Sequence, residues 1–166
     1  MCIRDRGVDR VIFLPDGYLG RYVASKTDVE IILWEGSCEV HERFTADEIR
    51  AYRNSHSGIQ VIAHPECPPD VLAEADFVGS TSAMIRYVGA NKPSRVVMVT
   101  ECSMSDNVAV EHPDVQFVRP CNLCPHMKRI TLPKILQTLE TLEPRVQVSA
   151  EISARARLAV ERMLQA

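Results

Sequence analysis

Residues 59–88 read IQVIAHPECPPDVLAEADFVGSTSAMIRYV, and the alternation inside this run decides the fold. IQVIA (59–63) is an almost unbroken apolar run rich in β-branched residues, the pattern of a strand covered on both faces. PPDVLAEA (68–75) carries helical spacing, ADFV (75–78) returns to strand, and TSAMIRYVG (81–89) is helical again. Parallel strands cannot be joined by a hairpin, so buried strands separated by helices predict a parallel sheet.

The same alternation extends outward in both directions. VIFL (11–14), VEIILW (29–34), RVVMV (95–99), VQFV (115–118) and VQVS (146–149) are predicted strands. TADEIRAYRNS (45–55) opens with Thr45 as N-cap and Glu48 three residues on, a capping box. TLPKILQTLETL (131–142) also has helical spacing. No linker or low-complexity segment divides the chain.

Sliding the chain against itself by 86 positions puts Asp28 and Val29 on Asp114 and Val115, Val11 on Val97, and Cys38 on Cys124. Ile31 and Ile32 fall on Phe117 and Val118, and with a one-residue slip Gln60 and Val61 fall on Gln147 and Val148. The expected architecture is α/β, with pseudo-repeated three-layer α/β/α units, short parallel sheets and an active site where units meet. Residues 1–42 are expected to be the C-terminal part of one unit whose start is missing. Residues 43–125 would form a complete repeat unit and residues 126–166 a closing helical segment. Residues 1–6 carry no pattern before the chain plunges into a strand. That start predicts a piece of a longer protein, with the first hexapeptide not native to it.

Composition excludes several functions. With 46% hydrophobic and 25% charged residues the 166-residue chain reads as soluble and globular, and a net charge of −3 gives no case for nucleic acid. No apolar stretch approaches membrane-spanning length, and the N-terminus lacks the apolar core of a secretory signal. A reducing cytoplasm is the default, where six cysteines point to metal or redox chemistry rather than disulfides. Cys2 and Cys102 lack ligand spacing around them.

Four loops carry chemistry. In WEGSCEVHERF (34–44), Gly36 allows a sharp turn, and Cys38 and His41 lie three residues apart. A thiolate near an imidazole suits a metal or a nucleophilic pair, while a buried thiol beside a solvated histidine is the plain alternative. CNLCPHMKRITLPKIL (121–136) holds Cys121 and Cys124 as C-x-x-C, which serves zinc, an iron–sulfur cluster or a redox disulfide. The repeat favours Cys38 and Cys124 as equivalent ligands. In AHPECPPDV (63–71), His64 and Glu66 flank Pro65; if the chain stays extended, both project to one side, as proton transfer needs. The alternative is a polar loop at a strand end. In VGSTSAMIRYV (78–88), Ser80, Thr81 and Ser82 open a helix and offer an anion cradle or an ordinary N-cap.

Together with IFLPDGYLGRYVA (12–24) and the closing RARLAVERML (155–164), these motifs resemble quinolinate synthases in order and spacing. The resemblance runs from about residue 11 to residue 164. It implies three pseudo-repeated α/β domains around a central site, each giving one cysteine to a [4Fe–4S] cluster whose open iron acts as Lewis acid. It implies a transferase that condenses iminoaspartate with dihydroxyacetone phosphate to quinolinate, for NAD biosynthesis. Cys38 and Cys124 match the second and third cluster ligands. His64, Glu66 and Thr81 match substrate-binding positions, with Glu66 and His64 as the catalytic pair and Glu66 shuttling protons. His41 lines the same pocket, and Ser80 helps to hold an anionic group. Cys121 matches a cysteine that in some members pairs with its C-x-x-C partner. Iminoaspartate would come from an L-aspartate oxidase or an aspartate dehydrogenase. The first ligand would fall about 48 residues before Met1, so residues 1–166 alone are expected to be inactive. The rival readings are a cluster-free lyase or aldolase using His64 and Glu66, a zinc-stabilised module on Cys38, Cys121, Cys124 and His126, and a degenerate fragment without activity.

Overall fold

Apolar runs become strands here where they find a partner. The computed structural model describes residues 7–120 and 122–165, and its chain falls into two units. The larger, Arg10–Cys124, runs β1 (Arg10–Phe13), α1 (Gly17–Ala24), β2 (Glu30–Leu33), α2 (Ala46–Ser55), β3 (Gln60–Ala63) and α3 (Pro69–Ala73). It continues with β4 (Phe77–Val78), α4 (Thr81–Asn91), β5 (Arg95–Val99), α5 (Ser103–Glu111) and β6 (Gln116–Val118).

Four strands form one parallel sheet in the order β4-β3-β5-β6, with Val61 beside Val97 and Val97 beside Val118. Successive side chains of a strand face opposite ways, and both faces are covered. Val61, Ala63, Val97 and Val99 pack with Phe44, Ile49 and Val71 on one side. Ile62, Val96 and Met98 pack with Met84, Val88 and Val108 on the other. Helices α2 and α3 thus cover one face, and α4 and α5 the other. The class is α/β with short, wholly parallel sheets and three layers, as the alternation predicts.

The second sheet is the parallel pair β1 and β2, in register from Arg10 beside Glu30 to Phe13 beside Leu33. Helix α1 lies so close that a Cβ on Gly20 would run into the Leu33 side chain. Ile12 (71% exposed) and Ile32 face outward.

The 86-residue repeat has a structural counterpart. Helix α1 begins at Gly17 and α5 at Ser103, 86 residues on. The β1-α1-β2 and β5-α5-β6 segments are both parallel β-α-β crossovers. The match of residues 60–61 to 147–148 has none, because residues 146–149 form no strand. All four are exposed, no strand pairs with them among the described residues, and Ser149 instead caps a helix through Ile152 N–H. A lone extended segment has no ladder to stabilise it. Helices α1 and α5 went unpredicted because both are short, and α1 carries two glycines.

Of the described residues, the smaller unit groups 125–165 with 7–9. It contains α6 (Leu132–Thr141), capped by Thr131, and α7 (Ala150–Leu164). Cys2, the N-terminal hexapeptide and Cys121, which figure in the sequence reading, lie outside the described residues. No described helix is long and apolar enough to cross a membrane.

Candidate active site

Parallel strands end at one edge of a sheet, and α/β proteins gather their chemistry in the loops beyond it. Strand β3 delivers His64, β4 delivers Ser80 and Thr81, β5 delivers Thr100 and Glu101, and β6 leads to Cys124. The loop after β2 brings Cys38 and His41 to the same edge.

His64 is held by its own N–H, which donates to the Val99 carbonyl at 3.1 Å and continues the β3–β5 ladder one residue further. Cys67 N–H then donates to the His64 carbonyl at 3.0 Å. A turn, rather than the extended backbone anticipated, therefore folds Glu66 back toward His64, with Oε2 3.7 Å from Nδ1. Pro65 is buried within it.

His41 begins a short 3₁₀ turn, His41–Arg43, and is buried. Its Nε2 lies 2.9 Å from Thr100 Oγ1, a bond spanning 59 residues, and its ring stacks on His64 with centroids 4.7 Å apart. Its Nδ1 sits 3.0 Å from Glu66 Oε2. That approach lies off the hydrogen-bond direction and leaves Nδ1 a buried nitrogen without an aligned partner. Cys38 Sγ, a His41 nitrogen and a Glu66 oxygen all lie within 4.8 Å of one another.

Electrostatics follow from this packing. The His41 imidazole beside Glu66 holds its carboxyl below the usual range, helped by His64 and the Cys38 thiol and opposed by partial burial. Burial, reinforced by neighbouring His41, lowers the pKa of His64, with Glu66 and Asp16 pulling the other way. At neutral pH the pair is a carboxylate beside a neutral imidazole, a proton acceptor and a shuttle in contact.

The cysteines divide by environment. Cys67 is fully buried and burial pushes its thiol up to about 12, opposed by a backbone hydrogen bond at His64 and reinforced by the neighbouring Cys38, Glu66 and Asp16. Such a thiol is inert at neutral pH. Cys38 and Cys124 are half-buried in loops after equivalent strands. Cys124 stands outside the close Cys38–His41–Glu66 group. His126, of the zinc reading, belongs to the smaller unit.

Ser80 and Thr81 are exposed at the start of α4, one strand over from His64. Ser80 Oγ accepts Ala83 N–H at 3.3 Å, so it serves as N-cap while the helix terminus stays open to an anion.

Three residues escaped the sequence reading. Thr100 anchors His41 from the end of β5, and buried Asp16 and Glu101 sit at the starts of α1 and α5. Asp16 was legible only as the polar residue of a PDG turn, although an Asp before a helix is also an N-cap signal.

This edge can be set beside known proteins. The family model described as Quinolinate synthetase A protein matches residues 3–165. The chain belongs to this family. It is 62% identical over 162 residues to Quinolinate synthase 1 of Mesorhizobium japonicum, covering 98% of this chain and 50% of that protein. Quinolinate synthase of Agrobacterium fabrum is 61% identical over 98% of the chain and 47% of its own length. Quinolinate synthase of Xylella fastidiosa is 60% identical over 95% and 47%. The chain thus spans about half the length of the curated relatives it matches.

The iron–sulfur group that the resemblance implies would need soft sulfur donors. Half-buried thiols in two equivalent loops are suitable soft donors. The Cys38 thiol lies within 4.8 Å of a His41 nitrogen and a Glu66 oxygen, a donor set of the kind a metal group uses. The residues fit.

Proposed function

We propose that this chain carries part of the active site of a quinolinate synthase, which condenses iminoaspartate with dihydroxyacetone phosphate to quinolinate, phosphate and two waters. The observation that carries the reading is the stack of His41 on His64, with Glu66 against both and Cys38 beside them. Proton removal from carbon and proton delivery to departing oxygens need such a carboxylate–imidazole pair next to a metal ligand.

Cys38 and Cys124 would hold a [4Fe–4S] cluster, which when bound supplies a Lewis-acid iron for a substrate oxygen. Glu66 accepts and returns protons at its carboxylate. Neutral His64, whose Nδ1 accepts the Glu66 N–H at 3.4 Å, orients the substrate through its other ring nitrogen, and His41, fixed by Thr100, holds Glu66 in place. Ser80 and Thr81 at the α4 N-terminus receive an anionic group of the substrate. Iminoaspartate is unstable in water, so a partner such as an L-aspartate oxidase or an aspartate dehydrogenase would supply it.

A cluster with one open iron takes three thiolates, and the repeat provides two here. The 166-residue chain alone is therefore expected to hold iron weakly and to be inactive. The decisive experiment replaces the matching segment of the Mesorhizobium relative with this chain and reconstitutes the chimera anaerobically. Brown, iron- and sulfide-containing protein that forms quinolinate supports the reading, with iron lost in Cys38→Ser and activity lost but iron kept in Glu66→Gln. Colourless protein binding stoichiometric zinc through Cys38, His41 and Glu66 would overturn it.

A further inference from the structure

The loops that bear Cys38 and Cys124 are each tied down twice, and the ties are the same in both copies of the β-α-β unit. In the first, Asp16 caps α1, its Oδ1 accepting Leu19 N–H at 2.7 Å while Oδ2 accepts Cys38 N–H at 2.9 Å. In the second, Glu101 Oε2 accepts Ser103 N–H at 2.8 Å at the start of α5, while Oε1 accepts Cys124 N–H at 3.4 Å and Ser103 Oγ–H at 3.3 Å. The residue two before each cysteine is held as well. Gly17 N–H donates to Gly36 O at 2.8 Å, and Cys102 N–H donates to Asn122 O at 3.2 Å.

Both acids are buried, at 4% and 8% exposure. A buried acidic side chain is costly unless hydrogen bonds satisfy it, and each here takes backbone N–H groups from two separate segments. Close packing seals the first copy: a Cβ on Gly36 would meet the Pro15 carbonyl oxygen at 2.6 Å.

We propose that Asp16 and Glu101 are equivalent positioning residues, each locking a cysteine loop to the helix start of its own unit so that the thiol is preset for the cluster. The proposal rests on the reading of Cys38 and Cys124 as ligands. It also explains why the acids differ by one residue in the repeat. Asp16 lies 22 residues before its cysteine and Glu101 lies 23 before its own, so the longer side chain spans the extra step.

The variants are Asp16→Asn and Glu101→Gln, which keep size but turn an NH2 toward one of the amides, and Asp16→Ser, which keeps the α1 cap but is too short to reach Cys38. In the metal-free, reduced chain, hydrogen exchange is read at amides 38 and 124 and iodoacetamide labelling at the two thiols. Each variant is expected to speed both by about tenfold or more at its own cysteine, the factor carried by a charge-assisted hydrogen bond, and to leave the other cysteine unchanged. In the anaerobic chimera the same variants should lower iron and sulfide per chain and broaden the electron paramagnetic resonance signal of the reduced cluster. Exchange at amide 38 in Asp16→Ser equal to the parent, with α1 intact, overturns the lock. Faster exchange with unchanged cluster content and spectrum overturns its role in presetting the thiol. An unaltered chimera that takes up no iron sinks the ligand reading instead, and the exchange result then judges the lock alone.

Discussion

The rings of His41 and His64 lie stacked, 22° from coplanar with centroids 4.7 Å apart, although one comes from the loop after β2 and the other from the end of β3. Two imidazoles this close cannot both carry charge cheaply, and Glu66 is the acid that touches both. The protonation of His64 and that of Glu66 therefore depend on one another.

Removing the shared acid should separate chemistry from metal retention. Glu66→Gln in the chimera is expected to lower quinolinate formation by about 100-fold or more, in line with loss of a general acid–base group. Its iron content should match the parent, and parallel loss of iron would reassign Glu66 to metal binding.

Stability should fall on the acid side because of His64. Its folded pKa is held below the ordinary 6.5, so as pH falls through 6.5 the unfolded chain takes up a proton that the folded one refuses. The contribution is present above that pH and is lost toward the folded value. Glu66, depressed below 4.5, acts in the same direction further down. Urea unfolding at pH 7.5 and 5.5 should show a smaller acid loss for His64→Gln than for the parent; superimposable losses would refute the effect.

Gly36→Ala should distort the Cys38 loop without touching a charge. The added Cβ meets the backbone oxygen of Pro15, which cannot swing aside as a side chain would. A cost of about 1–3 kcal/mol is expected from such overpacking. A crystal structure of the variant should show Cys38 displaced, and an unmoved loop with unchanged stability would contradict the close approach.

Among the described cysteines, labelling should discriminate sharply. At pH 8 iodoacetamide should modify Cys38 and Cys124 well before Cys67, whose thiol is raised to about 12. Cys67→Ala should leave iron content unchanged in the chimera, whereas Cys38→Ser should abolish stable loading.

Thr45→Ala tests the local code. Thr45 Oγ1 accepts Glu48 N–H at 3.3 Å and Glu48 Oε2 accepts Thr45 N–H at 2.9 Å. Its loss should cost about 1 kcal/mol in urea unfolding.

What depends on near neighbours was legible in the residues. Thr45 and Glu48 announce the start of α2, and the β-branched runs at 59–63 and 95–99 announce buried parallel strands, because capping and burial patterns repeat over a few positions. The motifs also marked His41 and paired His64 with Glu66, two residues apart. The stacking of His41 on that pair, and its anchoring by Thr100, were decided only by tertiary structure. The bond from His41 to Thr100 spans 59 residues and that from Asp16 to Cys38 spans 22, distances over which loop path and side-chain direction depend on what packs beneath. The same dependence undid the strand predicted at 146–149: its β-branched residues ask for a ladder, and a ladder exists only when the fold brings a second strand alongside.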